Sequence, residues 1–453
     1  MLNLLENINN FTNDSSMVQH AVDKAAATGA TVTIPRINPR TGNNVWVFDE
    51  AVKLHSGSVI CLDNCVIKGS EDLFDNLFKN SNARTEKAMY TEGKQSNICI
   101  YGLGNATLDG GTPISFNEQT RKPGDPPVFT VSPIHFHNVS DFCIKNIKII
   151  NQRYWGIVCH YCTDGSIKEI RFDTDGKSVN QDGIDLRQGC KRILISDISG
   201  KTGDDMVALT ALSPCKNTLT VENMSNDISN IIISNLRGAP DYYKGFVRLL
   251  NHHGNKIHDI IIENIMDISD SPLPQNRFGS AVRIGENFYY GKGEPAKPGD
   301  TYNITVRNVV TRARTGIFIS TTLYDSLIDN IRMTDTGGSA ILFRKGVYKG
   351  ISISNVSYTH NCIHPVTDDN TIEDHFNTKT GEPPTGESER KVCAVYSQDA
   401  SLERVFIDKI SVYGNLTSVF GGKGTGEIRY RSLNLNDNIP LGNIENAEII
   451  YDK

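Results

Sequence analysis

The sequence predicts an all-β protein, a single-stranded, right-handed parallel β-helix with an N-terminal capping helix. A pattern of aliphatic, any, polar and aliphatic residues recurs along the chain, and most steps between its copies are 22 to 29 residues. Other short β-type segments lie between the copies, without convincing helical spacing. Units of this size cannot bury a core alone and must stack on their neighbours. The copies begin at Ile144, Ile167, Ile195, Ile233, Ile262, Val306, Ile328, Ile353 and Ile407.

An N-terminal helix is predicted over residues 15–27, where apolar residues follow helical spacing. Asn13, Asp14 or Ser15 can serve as its N-cap, and Gly29 provides a stop signal. Because an open sheet edge invites edge-to-edge association, we expect this helix to cover the first rung. The apolar positions are Met17, Val18, Ala21, Val22, Ala25 and Ala26.

We expect one β-helix domain over residues 1–453, with a cap region at 1–30 and rungs over 31–453. A β-sandwich is the alternative fold, but its two-residue hairpins do not fit a 23-residue repeat. Irregular insertions rich in Pro and Gly interrupt the rungs, and we expect them to form the walls of a groove. They lie near 111–131, 267–301 and 363–390.

Composition argues against several classes of function. The chain has 46 basic and 52 acidic residues and a formal net charge of −6, which disfavours a nucleic-acid partner. No apolar run approaches the ~20 residues of a membrane span, so we expect no membrane partner. The N-terminus has no basic segment followed by a long apolar one, which would mark a secretory signal. We therefore expect a cytoplasmic protein, or a secreted one if such a signal has been removed.

The ten cysteines are dispersed along a large chain, which fits reduced thiols buried as small hydrophobes. The one CxxC pair, Cys159 and Cys162, falls in a strand-like segment. Strand alternation would place these two residues on opposite faces of the sheet, so we do not expect them to form a metal or redox site. We predict no metal and no cofactor.

The densest acidic group lies in two segments that are one repeat apart. Asp182 precedes Leu186 by four residues, and Asp205 precedes Leu209 by four residues. The two aspartates are 23 residues apart, so stacking of rungs places them on adjacent strands at the same register. Asp204 lies beside Asp205. The sequence therefore predicts three carboxylates close together on one sheet.

Carboxylates held this close raise the pKa of at least one carboxyl group. A general acid needs a retained proton and a base must stay ionised, and glycoside hydrolysis requires both. Sequence spacing does not choose between the ~6.5–9.5 Å separation of inverting enzymes and the ~5–5.5 Å of retaining enzymes. Two alternatives are structural turn aspartates, as we expect for Asp185, and a Ca²⁺ site, because clustered carboxylates bind hard cations.

Three motifs and several longer segments carry a family likeness. Asn-Gln-Asp ends at Asp182, Gly-Asp-Asp ends at Asp205, and Arg-Ile-Gly begins at Arg283. Asn151 and Trp155 lead into the first motif. Together they resemble the Asn-Thr-Asp, Asp-Asp and Arg-Ile-Lys motifs of polygalacturonase-type (family 28) glycoside hydrolases, over roughly residues 18 to 320. The similar longer segments are TGATVTIPR, LHSGSVICLDNCVIKGS, YGLGNATLDGG and SPIHFHNVSDFCIKNIKIINQRYWGIV.

The resemblance implies an inverting hydrolase on a pectin-lyase-like β-helix that cleaves O-glycosidic bonds of an oligo- or polysaccharide. It assigns Asp204 as the acid that protonates the leaving oxygen, while Asp182 and Asp205 activate the water. Without an export signal, we expect an oligosaccharide taken into the cell, and hence exo-action on galacturonate-containing (pectin-type) or related α-linked glycans. The sequence does not indicate an oligomeric state.

Two departures from the family bear on the substrate. The family's Gly-His-Gly corresponds to Tyr-Lys-Gly-Phe at 243–246, and the Lys that holds the sugar carboxylate is Gly285. A neutral or differently charged glycoside is therefore an alternative substrate. His252 or His253 could take the role of the missing His, although turn histidines are more often inert. The candidate substrate-binding residues are Asn180, Lys244, Arg248, His252, His253, Arg283, Tyr290 and Trp155.

Two other functions fit the same predicted fold. A polysaccharide lyase would abstract a proton beside a carboxylate, often with Ca²⁺, and would release unsaturated products that absorb ultraviolet light. A non-catalytic glycan-binding β-helix would show no turnover, and the missing family His and Lys keep this alternative open. Product analysis and sensitivity to chelators distinguish the lyase from the hydrolase.

Overall fold

The structure is a computed structural model in which the chain divides into two compact units, Met1–Ile232 and Ile233–Lys453. The single domain predicted over 1–453 stays a prediction. The predicted insertions fall largely outside the described residues. Those residues are 10–112, 128–176, 178, 180–212, 219–239, 245–269, 279–285, 294–334, 338–360, 392–436 and 438–452.

The first unit is a parallel β-helix with strands in three rows, as the sequence predicts. The rows are β1–β4–β7–β10–β12–β14, β2–β5–β8–β10 and β3–β6–β9–β11–β13–β15. A further strand, β16 (Ile228–Gly238), contains the boundary between the units. The elements of the first unit are α1 (Asp14–Ala26), short 3₁₀ helices at Glu86–Met89, Thr91–Gly93 and Val128–Val131, and the strands β1 (Thr31–Ile34), β2 (Val45–Phe48), β3 (Val52–Leu54), β4 (Val59–Asp63), β5 (Val66–Gly69), β6 (Phe78–Asn80), β7 (Gln95–Leu103), β8 (Thr107–Asp109), β9 (Ile134–His137), β10 (Val139–Ile150), β11 (Ile157–His160), β12 (Thr163–Asp173), β13 (Ile184–Leu186), β14 (Lys191–Lys201) and β15 (Val207–Ala211).

The second unit also consists of parallel strands stacked coil on coil. One row runs β17–β19–β21–β22–β23–β24, and another runs β18–β20–β21–β22–β23–β25. Strand β26 pairs in parallel with β24. These strands are β17 (Val247–Asn251), β18 (Ile257–Asp267), β19 (Ser280–Ile284), β20 (Thr301–Thr311), β21 (Thr315–Thr334), β22 (Ile341–His360), β23 (Cys393–Gly414), β24 (Ser418–Tyr430), β25 (Leu433–Leu435) and β26 (Glu445–Tyr451).

The recurring sequence pattern marks one corner of the coil. In the first unit, Ile144 pairs in register with Ile167, and Ile167 pairs with Ile195. In the second unit, the copies from Ile262 to Ile407 pair in the same way. The repeat seen in the sequence is therefore a repeat of backbone hydrogen bonding between coils.

The polar third residue of the pattern has a left-handed backbone, as at Asn146 with φ 54°. Asn adopts this region more readily than most residues, which explains its preference for the corner. In the second unit these side chains form a ladder. The amide of Asn264 donates to Asn235 at 3.0 Å, Asn308 donates to Asn264 at 2.9 Å, and Asn330 donates to Asn308 at 2.9 Å.

Aliphatic and aromatic side chains at equal register fill the interior of each unit. In the row that ends at β15, one register is fully buried on five consecutive strands. Each such side chain contributes about 1.5–3 kcal/mol relative to an exposed position. This column consists of Phe78, Ile134, Ile157, Ile184 and Val207.

Helix α1 packs on β1, β2 and β3 and confirms the predicted cap. Asn13 is the N-cap, and its side-chain oxygen accepts a hydrogen bond from Ser16 N at 2.8 Å. After the helix, Gly29 has φ 68° and donates its N–H to Ala25 O at 2.8 Å, which fits the predicted stop. Within the described ranges, no helix has the length and apolar character to span a bilayer.

Side chains of α1 satisfy the outer edge of the first rung. Asp14 accepts hydrogen bonds from Val47 N at 2.8 Å and from Arg40 Nε at 2.8 Å. Gln19 accepts from Lys53 N at 2.7 Å and donates to Lys53 O at 3.1 Å. The helix therefore closes the sheet edge through specific acceptors as well as through its apolar face.

The predictions for the cysteines need two corrections. Cys159 and Cys162 do not lie on opposite faces, because the chain turns at Tyr161, with φ 52°, and both thiols enter the core and hydrogen-bond. Burial raises the pKa of Cys159 far above its usual range, so that thiol stays protonated and unreactive. The second correction concerns Cys99 and Cys143, which are only partly buried, whereas the other described cysteines are buried.

Asp14→Ala should destabilise the protein, because it removes the buried carboxylate that accepts hydrogen bonds from Val47 N and Arg40 Nε. A hydrogen bond to a charged group contributes about 1.5–3 kcal/mol. We expect a lower melting temperature in thermal unfolding followed by circular dichroism. Asp23→Ala, which removes an exposed carboxylate of the same helix, is the control and should have little effect. Equal melting temperatures for the two variants would contradict the role of α1 in closing the first rung.

Candidate active site

Three carboxylates meet at one place in the first unit, as the sequence predicts. One oxygen atom from each of Asp182, Asp204 and Asp205 lies within 4.8 Å of the others. Asp182 lies two residues before the start of β13. Asp204 and Asp205 lie three and two residues before the start of β15. Strands β13 and β15 are neighbours that pair in register. These three residues form the carboxylate cluster.

Backbone hydrogen bonds between consecutive coils set the register of the cluster. Gly183 N donates to Asp205 O at 2.9 Å, and Gly156 N, one coil earlier, donates to Asp182 O at 3.0 Å. The strands that follow pair with the same offset, without a bulge. Residue 182 therefore lies over residue 205, as the 23-residue step predicts.

Two glycines let the coils approach closely beside the cluster. A side chain on Gly183 would collide with the Met206 carbonyl and would lie 2.8 Å from the Phe172 ring. A side chain on Gly203 would lie 2.8 Å from the amide oxygen of Gln181. The Asp-Gly at 182–183 is thus a contact point between coils.

Side-chain amides and a hydroxyl hold the segments that carry the cluster. Gln181 Nε2 donates to Gln152 O at 2.8 Å, and Gln152 Nε2 donates to Asp182 O at 3.3 Å. Thr202 Oγ1 donates to Asp204 O at 2.7 Å. We did not predict Gln152 and Thr202 from the sequence, because both lie at turns, where strand alternation gives no direction.

The carboxylate cluster is enclosed. Asp182 is 3% exposed, and Asp204 and Asp205 are each 2% exposed. One oxygen of Asp204 also accepts the Asp205 N–H at 2.9 Å. The sequence predicted carboxylates bordering an open groove; all three carboxylates are buried, and the groove stays a prediction.

Trp155 is buried and does not present an open platform for a sugar ring. It is 4% exposed and forms a cluster with Val131, Tyr154 and Val158. The guanidinium carbon of Arg187 lies 4.6 Å from the centre of a Trp155 ring, a cation–π contact. The burial favours a role in the core for Trp155 over the predicted substrate-binding role.

Asn180 and Asp185 frame the first aspartate of the cluster. Asn180 is half-buried and has a left-handed backbone, with φ 57°, so it forms the turn that leads to Asp182. Asp185 lies between the fully buried Ile184 and Leu186 in β13, so alternation directs it to the other face of the sheet. It is itself buried, and the predicted structural role for Asp185 stays a prediction.

Three buried histidines lie on β9 and β11, in the same row of strands, and we did not predict them from the sequence. They are His135, His137 and His160. His135 Nε2 and His160 Nδ1 are 3.2 Å apart, and the rings are perpendicular. Burial lowers the pKa of His137 to about 4 and that of His135 well below its usual range. Both are therefore neutral near pH 7. The alternation Ile-His-Phe-His over β9 was a signal that could have found two of them.

In the second unit, two predicted binding residues occupy neighbouring strands. Arg248 of β17 pairs in register with Arg283 of β19, and both are more than nine-tenths buried. Phe318 of β21 is next in register, and the Arg283 guanidinium carbon lies 5.4 Å from its ring centre. The strand stacking thus aligns two guanidinium groups and one aromatic ring on one face of the second unit.

At Gly285, where the family motif has Lys, the backbone conformation favours glycine. Its φ is 76°, a region that favours glycine. A side chain there would also collide with the Ser320 carbonyl oxygen and crowd the Thr321 hydroxyl. A Lys at this position would therefore be strained in this backbone.

Two further binding candidates, His252 and His253, are adjacent residues that differ in burial. His252 is buried beside a bridge to Pro295, whereas His253 is exposed with φ 59° and donates its N–H to Glu294 O at 2.9 Å. Their rings are 6.3 Å apart. Lys244 and Tyr290 lie outside the described residues.

Sequence comparison identifies a family over part of the chain. Residues 75–225, about a third of the chain, match the family model of Glycosyl hydrolases family 28. This segment contains the whole carboxylate cluster. No curated protein matches the chain by sequence.

Structural comparison finds several similar solved structures. The Family 28 exopolygalacturonase of Yersinia enterocolitica has a TM-score of 0.50 and 13% identity, over 98% of this chain and 77% of that one. A polygalacturonase from Erwinia carotovora has a TM-score of 0.41 and 13% identity, over 97% and 94%. The exopolygalacturonase from Thermotoga maritima has a TM-score of 0.43 and 13% identity, over 95% and 91%.

At this identity the first likeness shows the fold, a right-handed parallel β-helix. The match to the family model and the motifs at Asp182 and Asp205 agree on the enzyme class. The resemblance drawn from the sequence is therefore confirmed over the matched segment: residues 75–225 are similar to family 28 of the glycosyl hydrolases, which supports a glycoside hydrolase.

Proposed function

We propose that this protein hydrolyses α-linked, pectin-type oligosaccharides that contain galacturonate. The observation that carries the proposal is the carboxylate cluster, which lies on consecutive coils inside the family 28 segment. The first similar structure is named an exopolygalacturonase, which supports this substrate class and exo-action. A related α-linked glycan without carboxylates is the alternative substrate, because Gly285 replaces the family Lys.

In the proposed mechanism, Asp204 donates its proton to the leaving glycosidic oxygen. Asp182 and Asp205 remain ionised, hold one water, and take its proton as it attacks the anomeric carbon. Two hydrogen bonds of about 2.7 Å from one water span roughly 4.5 Å between their acceptors. The oxygen separations in the cluster, all within 4.8 Å, allow one shared water. They are shorter than the ~6.5–9.5 Å between the carboxyl groups of inverting enzymes, so the proposed inversion rests on the family resemblance and not on the spacing.

Substrate binding is proposed for the remaining polar candidates. Arg248 and Arg283 would bind a sugar carboxylate or hydroxyls through their planar forks of donors. Asn180 would contact a sugar hydroxyl from the turn before Asp182. For His252 and His253 we propose only a contact with a bound sugar.

Asp204→Asn should lower kcat by about 10²–10⁴-fold, because it removes the proton donor. The amide keeps the shape of the side chain, so glycan binding should persist in calorimetry. A panel of plant and microbial oligosaccharides with product analysis supplies the substrate. Asp173→Asn, at an exposed carboxylate that pairs with Lys148, is the matched control and should retain activity.

If Asp204→Asn hydrolyses glycans at the wild-type rate, the assignment of Asp204 as the acid is wrong. No turnover by any variant or the wild type would favour a glycan-binding β-helix.

Hydrolysis should invert the anomeric configuration, because the proposed nucleophile is a water and no covalent glycosyl-enzyme intermediate forms. Proton NMR of fresh products, recorded before mutarotation, reads the configuration directly. Products with retained configuration would mean that one aspartate attacks the sugar itself, and the proposed mechanism would then fail.

A polysaccharide lyase is the second candidate, and one observation favours it: three carboxylate oxygens within 4.8 Å could bind a divalent cation. A lyase should release unsaturated products that absorb ultraviolet light and should lose activity in EDTA. We expect no such absorbance and no loss of activity in EDTA. Unsaturated products would replace the hydrolase proposal with the lyase.

A further inference from the structure

Cys99 and Cys143 form a pair of half-exposed thiols in the first unit, away from the strands that carry the carboxylate cluster. They lie directly opposite each other on the parallel strands β7 and β10. Neighbouring strands are about 4.8 Å apart, which falls within the ~4.4–6.8 Å Cα separation of disulfides. The Cys99 thiol donates a hydrogen bond to the Cys143 sulfur.

The surroundings differentiate the two thiols. Lys145 follows Cys143 by two residues on β10, and Lys168 of β12 pairs in register with Lys145. Ser166 of β12 pairs with Cys143 and donates a hydrogen bond to its sulfur. The pKa of Cys143 is lowered to about 6, and the hydrogen bond from Cys99 is the largest cause. The hydrogen bond from Ser166 and the charges of Lys145 and Lys168 also lower it. The hydrogen bond to Cys143 and burial raise the pKa of Cys99.

We propose that Cys99 and Cys143 are a redox-sensitive dithiol that hydroperoxides oxidise to a disulfide, with Cys143 as the attacking thiolate and Cys99 as the resolving thiol. The Cys143 thiolate attacks one peroxide oxygen, the O–O bond breaks, and protonation of the departing oxygen releases water and leaves a sulfenic acid. The Cys99 sulfur then attacks the sulfenic sulfur. The S–S bond forms, and hydroxide leaves with the Cys99 proton as a second water.

The register also makes this disulfide easy to reduce. Side chains opposite each other on parallel strands keep Cβ atoms near the strand spacing, which is longer than the ~3.5–4.5 Å Cβ separation of a relaxed disulfide. A strained, partly exposed disulfide has a more oxidising potential and is open to attack by small thiols. The proposal concerns a modification site and does not depend on the glycoside hydrolase activity.

Peptide mass spectrometry of the full chain tests the proposal. At pH 7, iodoacetamide should alkylate Cys143 at least tenfold faster than Cys99 and the six buried cysteines. Its rate should level off above about pH 7, whereas an ordinary thiol continues to rise toward pH ~9. Hydrogen peroxide should give a Cys99–Cys143 cross-linked peptide that dithiothreitol separates.

Variants separate the roles of the two thiols and of the nearby charge. In Cys99→Ala, peroxide should leave a Cys143 sulfenic acid that dimedone traps, without an intramolecular cross-link. Lys145→Gln should slow alkylation of Cys143 several-fold, whereas Lys148→Gln, at a lysine of the same strand that pairs with Asp173, should not. Alkylation of Cys143 no faster than the buried cysteines, or peroxide treatment without the cross-link, would overturn the proposal.

Discussion

The in-register hydrogen bonding of each coil to the next is the constraint on which both the core and the active site depend. The bonds from Gly156 to Asp182 and from Gly183 to Asp205 align successive coils. Because the side-chain period of a strand is two, a slip of one residue would turn core side chains outward and separate the carboxylates. The glycine at position 183 permits this close approach, since any side chain there would collide with the next coil. The same register supports the fold and assembles the chemistry.

Repetition in the sequence was sufficient to predict this architecture. The aliphatic–polar–aliphatic pattern reports a left-handed corner of each coil, and its copies stack as predicted, from Ile144 to Ile195 and from Ile262 to Ile407. The 23-residue step between Asp182 and Asp205 predicted the carboxylate cluster for the same reason. A repeat of one coil converts a separation along the chain into a contact between neighbouring strands.

Features that depend on turns could not be predicted from alternation. The left-handed residue Tyr161 directs Cys159 and Cys162 into the same interior, although a continuous strand would separate them. Gly285, with its positive φ, and the three buried aspartates all lie just outside strands, where no periodic pattern exists. Strand patterns define which residues share a register, whereas turns decide how side chains at the ends of strands are directed and covered.

A buried group of acidic side chains is difficult to explain as a structural device alone, since burying charge costs free energy unless partners compensate. Glycoside hydrolysis gives such a group a role, because a proton donor and a water-activating base must act on one bond. A crystal structure of an Asp204→Asn variant with an uncleaved oligosaccharide tests this account most directly. We expect the glycosidic oxygen within hydrogen-bond distance of residue 204 and a water bridging Asp182 and Asp205. A glycan bound elsewhere, with the cluster still enclosed, would contradict the account.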